Sequence, residues 1–286
     1  MSRIDSHQHF WRYDAAEFPW IGSGMQALAR DWLPADLKPL MQASGIGRCI
    51  AVQARTSEAE TDFLLALAAE HPWIAGVIGW VELREGDVEQ RLARWQGPSA
   101  LKGFRHVLQD EADVPAVLAS PVFRRNVAVL QARGLVYELL VHAHQFEGLA
   151  DFCAALDGHT LVLDHLGKPA IREPGDEAFA SWRAALQPVA AQPHVMCKLS
   201  GLVTEARWRD GRLDGQAPAD FHRYLDTALE LFGPHRLMFG SDWPVCLLAQ
   251  PHAGVVHLID GWAQRLSPGE REALWAGNAQ RCYDLT

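Results

Sequence analysis

Short apolar runs alternate with helix-period segments along the whole of this chain, which is the pattern of βα units wound around a parallel sheet. Eight strands are expected: Ile4 to His9, Cys49 to Ala54, Gly76 to Val81, Leu101 to Val107, Val136 to His144, Thr160 to His165, Val195 to Leu202 and Leu237 to Asp242. Polar caps mark helix starts between them. Ser57 with Glu60 spaces a capping box ahead of Phe63-Leu64-Leu65, and Ser267-Pro268-Gly269-Glu270 does the same for the final helix. Pro121 divides the stretch from Val114 to Arg133 into a short helix and a longer one. These signals predict an α/β protein with a (β/α)8 TIM-like barrel, as one domain over residues 1–286.

Two connections exceed what a barrel needs. One runs over residues 10–34 and carries Trp11, Trp20 and Trp32; the other runs over residues 203–219 and is rich in charge and glycine. Both follow strands, so both are expected to overhang the face where barrel active sites sit.

Composition narrows the function classes. A formal charge of −9 argues against a polyanionic partner, so no nucleic acid is expected. No apolar stretch is long enough to span a bilayer, and Met1-Ser2-Arg3 leads straight into a strand without a secretory h-region. The five cysteines, Cys49, Cys153, Cys197, Cys246 and Cys282, form no CxxC pair and suit a reducing cytoplasm. Apolar surface on barrel helices leaves monomer and homodimer both open.

Candidate chemistry gathers at the carboxyl ends of the expected strands. His7 and His9, Arg105 and His106, His142 and His144, Asp164 and His165, and Asp242 all fall there, whereas a chance scatter of 13 histidines would not. Side chains two apart on a strand share a face, so His7 and His9 converge. With His142 and the Asp242 carboxylate they make a mixed nitrogen and oxygen set suited to one zinc ion, and His165 is placed to orient water or a substrate carbonyl. Lys102 begins its strand, the wrong end for a ligand, which leaves Arg105 as the functional candidate there. Lys198 and Ser200 share a face of the seventh strand; an inward and a structural role are both open. His71, His159, His194 and His257 are read as structural.

Several of these residues sit in motifs that occur here in one order: Asp5-Ser6-His7-Gln8-His9-Phe10-Trp11, Arg30-Asp31-Trp32-Leu33-Pro34, Gly103-Phe104-Arg105-His106, Leu163-Asp164-His165-Leu166-Gly167-Lys168-Pro169, Lys198-Leu199-Ser200-Gly201-Leu202 and Gly240-Ser241-Asp242-Trp243-Pro244. The chain resembles the amidohydrolase superfamily over its full length, specifically the lactonase branch with fuconolactone, rhamnonolactone and pyrone-dicarboxylate lactone hydrolases. The resemblance implies a distorted barrel whose site falls on His7, His9, His142, His165 and Asp242, and a metal that some members do without. It implies hydrolysis of a sugar lactone such as L-fuconolactone by water attack assisted by Asp242. For such a substrate Trp20, Trp32 and Trp243 are candidates to stack on a sugar face, with Arg105, His106, Gln53, Gln145 and Lys198 to bind its edge. Decarboxylation of a small unsaturated acid and hydrolysis of a dicarboxylate lactone are the alternative enzyme readings. A sugar-acid sensor or scaffold is the non-enzyme one.

Overall fold

Eight parallel strands follow one another around the sheet in chain order, each pairing with the next. They are β1 (Arg3–Gln8), β2 (Ile46–Val52), β3 (Ile74–Gly79), β4 (Leu101–His106), β5 (Val136–Leu139), β6 (Leu161–Leu163), β7 (Val195–Leu199) and β8 (Leu237–Phe239). The computed structural model describes residues 2–97, 99–173, 175–213 and 217–285. The seam between β1 and β8 closes just past the last regular ladder. There the Asp242 N–H donates to the His7 carbonyl at 2.8 Å and the His9 N–H donates to the Trp243 carbonyl at 2.7 Å.

Each expected strand is present, several of them shorter than their apolar runs. β5 stops at Leu139 because β4 pairs with it only as far as His106↔Leu139 and β6 only as far as Leu139↔Leu163. Residues 140–145 therefore leave the sheet, and Ala143–Gln145 forms a 3-10 turn. Pro121 does divide its segment, into Val114–Ala119 and Pro121–Ala132. The box at Ser267 and Glu270 forms reciprocally. The one at Ser57 does not: Ser57 caps Ala59, while buried Glu60 turns back to accept from the Ala54 N–H and from Arg55.

The barrel interior is layered. At the amino-terminal end, Ile4, Ile50, Ile78, Val136, Val162, Met196 and Met238 form an apolar plug with Ala276, Ala279 and Tyr283 of the C-terminal segment beneath it. Two residues further along their strands, Glu138, Asp164 and Lys198 follow Val136, Val162 and Met196 on the same inward face, so the next layer is polar. Residues 10–34 fold over the rim as an ordered loop, tied by pairing of Trp11 with Trp32 and by a bond from Trp11 Nε1 to the Arg30 carbonyl. The second long connection holds a short helix, Leu202–Glu205, and a hairpin of Trp208–Arg209 with Arg212–Leu213; its residues 214–216 lie outside the described residues.

Candidate active site

β1 aims its histidines by breaking its own alternation. Ile4 faces the barrel interior, and strict alternation sends His7 and His9 to the opposite face. The pairing of β1 with β2 shifts between Asp5 and Gln8, and this bulge turns both imidazoles inward. Asp5 fixes the bulge, its Oδ1 accepting from the His7 N–H at 3.1 Å and from the Ser241 N–H at 2.8 Å.

Beneath the mouth lies a fully buried charged layer. Lys198 Nζ sits 2.6 Å from Glu138 Oε2, 3.2 Å from Asp164 Oδ1 and 3.1 Å from His7 Nδ1. Tyr283 donates to the other Glu138 oxygen at 2.7 Å, and Arg105 to the other Asp164 oxygen at 2.9 Å. Arg105 also donates to the Gln53 carbonyl at 2.6 Å, and its own carbonyl accepts from the Gln53 side chain.

Above it, three imidazoles surround one carboxylate oxygen. Asp242 Oδ1 lies 3.3 Å from His9 Nε2, 3.8 Å from His7 Nε2 and 3.9 Å from His165 Nε2. His9 Nδ1 donates to the Val52 carbonyl at 2.8 Å, which turns Nε2 toward the site. Burial holds His7 well below the ordinary imidazole range and takes His165 down to about 4, so both are neutral near pH 7. Burial alone raises an acid, yet His165, His9 and Lys168 outweigh it and hold the Asp242 carboxyl below its ordinary value. His7, His9 and Asp242 bring ligand atoms within 4.8 Å of one another, as do His7, Asp164 and His165. Two imidazoles and a carboxylate are a donor set that fits zinc.

The loops that carry these groups are conformationally costly. Asp242 has φ +57°. After β6 the chain makes a turn of left-handed helix, with φ of +55°, +54°, +68° and +47° at His165, Leu166, Gly167 and Lys168. It delivers both His165 and Lys168 to the cavity. Two glycines make room: a Cβ at Gly240 meets the His7 Cβ at 2.6 Å, and one at Gly201, itself at φ +68°, meets His165 Nδ1 at 2.6 Å.

A cavity of about 470 Å³ opens over this cluster. His9, His165, Asp242, Arg105, Gln53 and His142 line it among the expected residues, and Gln53 Oε1 is buried there without a hydrogen-bond partner. His142 sits on the wall, in neither group of potential ligands, because β5 ends before it and its ring stacks on His144. Of the four residues expected to hold zinc, His7, His9 and Asp242 are the ones brought together. His106 turns from the cavity to bond Glu111 at 2.6 Å and pack on Phe123. Gln145 is spent on the His142 N–H and the Gln109 carbonyl. Trp32 and Trp243 pack edge to face behind the site, and Lys198 lies under it. Of the tryptophans weighed for stacking, Trp20 reaches the cavity, held by its bond to the Ala54 carbonyl. Lys168, Arg172, Glu205 and Trp208 also line it and were not foreseen. Lys168 stands inside a motif; no local pattern marks the other three.

A family model described as amidohydrolase matches residues 4–285. The chain belongs to the amidohydrolase family. This amidohydrolase is 56% identical over 286 residues, 99% of its length and 96% of the relative's, to an L-fucono-1,5-lactonase of Burkholderia multivorans. It is 34% identical over 288 residues, again 99% and 96% of the two chains, to an L-fucono-1,5-lactonase of Burkholderia ambifaria. Among solved structures, an amidohydrolase of Burkholderia multivorans with bound zinc superposes with a TM-score of 0.96 at 56% identity, covering 100% of both chains.

Proposed function

We propose that this amidohydrolase is a lactonase that hydrolyses an aldonolactone, with L-fuconolactone or a similar deoxy-sugar lactone as substrate and one zinc ion held by His7, His9 and Asp242. The observation that carries the reading is the Asp242 carboxylate ringed by three imidazoles at the base of a sugar-sized cavity. Identity to lactonases over nearly the whole chain supports the reaction class. His142 lies outside both groups of potential ligands, which favours the lactonase over the decarboxylase reading.

Ester hydrolysis needs a base for water, a site for the developing oxyanion and a proton for the leaving alkoxide. Asp242, ionised at neutral pH, accepts the proton of water attacking the lactone carbonyl carbon. It returns that proton to the ring oxygen as the tetrahedral intermediate collapses. His165, anchored through Nδ1 to Ser200 Oγ at 2.8 Å, faces the same carboxylate and orients the carbonyl end. Lys168 supplies positive charge on the wall, Gln53 Oε1 accepts from a sugar hydroxyl, and Trp20 and Trp208 offer flat faces to its C–H edges. A divalent ion at His7, His9 and Asp242 would polarise the carbonyl and acidify water.

Acid release from L-fucono-, L-rhamnono-, L-galactono- and D-arabinonolactone tests this directly. Wild type is expected to prefer the deoxy-sugar lactones, and Asp242→Asn to lose at least about 10³-fold in kcat with its circular dichroism unchanged. A variant that keeps most of the wild-type rate removes Asp242 from the chemistry. Folded, zinc-loaded protein inactive on every sugar lactone overturns the substrate class and points to a dicarboxylate lactone.

A further inference from the structure

The geometry points to two adjoining cation sites in this barrel: an outer one for a free divalent ion and an inner one that the chain fills with its own Lys198 ammonium. The inference rests on the reading of His7, His9 and Asp242 as ligands of a single ion. His7 stands between the two, its Nε2 toward Asp242 as a ligand of the outer ion and its Nδ1 3.3 Å from Asp164 Oδ1, to which its remaining N–H is directed.

The inner site has the composition of a metal site. Beside His7, Asp164 and His165 already place ligand atoms within 4.8 Å of one another, and Glu138 adds a second carboxyl group from the neighbouring strand. Lys198 Nζ lies among these groups, 2.6 Å from Glu138 Oε2, 3.1 Å from His7 Nδ1 and 3.2 Å from Asp164 Oδ1. Asp164 Oδ1 is fully buried, and its near neighbours are the Lys198 ammonium at 3.2 Å and His7 Nδ1 at 3.3 Å. The remaining oxygens are taken by Tyr283 and Arg105, which aim the free ones at Nζ. Two acidic side chains thus face two basic ones in a layer without solvent, and removing either base leaves a buried acid uncompensated.

Truncating Lys198 therefore turns the inner site into one for a free ion. The two carboxylates among its donors favour a hard cation, for which Mn²⁺ is the probe. Wild type and Lys198→Ala, stripped by chelator and dialysed against Mn²⁺, are expected to hold one and two ions per chain. The variant's Tm is expected to rise about 5 °C more than wild type's at a hundredfold excess of Mn²⁺ over Kd. Lys198→Met combined with Glu138→Gln restores the balance without a cation and is expected to hold one ion, with no extra gain in Tm. The same count of ions in Lys198→Ala as in wild type, or a second ion in the double variant, overturns the inference. So does a Lys198→Ala chain that no added cation allows to fold. No ion in wild type with one in Lys198→Ala supports the inner site while overturning the outer.

Discussion

His165 illustrates how burial sets function at a single residue. Its imidazole is 5% exposed and is taken down to about 4 by burial, against the pull of Asp242 and Asp164. It stays neutral across the range where an ordinary histidine charges, so the acid limb of kcat/KM is expected near pH 4 rather than near 6.5. The same depression couples to stability. A folded value below the unfolded one means the unfolded chain binds more protons, so this contribution is whole above about pH 6.5 and is lost as pH falls through about 4. A pH–rate profile on wild type checks the first statement; an acid limb at 6.5 shows a group in ordinary solvation instead. His7 and His9 were legible as a convergent pair from their spacing, but the bulge that turns them inward is a property of pairing and leaves no mark in the six residues themselves.

At the scale of elements, apolar runs located all eight strands because a parallel barrel strand is buried on both faces. They did not locate the strand ends, since a run continues past the point where its neighbours stop pairing. His142 was misplaced for that reason, and Lys198 was left open because a lysine two residues before Ser200 reads the same under a site as in it. The left-handed turn from His165 to Lys168 is the element least visible in sequence, as only Gly167 advertises it. Its cost is measurable at Lys168, whose φ of +47° suits glycine. Lys168→Gly is expected to be about 1 kcal/mol more stable than Lys168→Ala by urea unfolding, with both impaired in turnover. Equal stabilities place the strain elsewhere.

For the whole molecule, the closing seam and the candidate metal ligands coincide. His7 lies in the first strand, His9 just past its end, and Asp242 follows the last strand, so an ion held by all three clamps the two ends of the sheet. Zinc at a hundredfold excess over Kd is expected to raise Tm by about 5 °C, and His9→Ala to lose most of that gain by scanning calorimetry. An unchanged Tm on zinc addition argues against the clamp. The same seam governs when this protein first becomes competent during synthesis. His7 and His9 leave the ribosome ahead of the other seven strands, but the backbone bonds that seat them, from Asp242 and to Trp243, need a stretch made after all of those strands. A growing chain holds its imidazoles without their carboxylate partner until then, and catalysis and barrel closure arrive together.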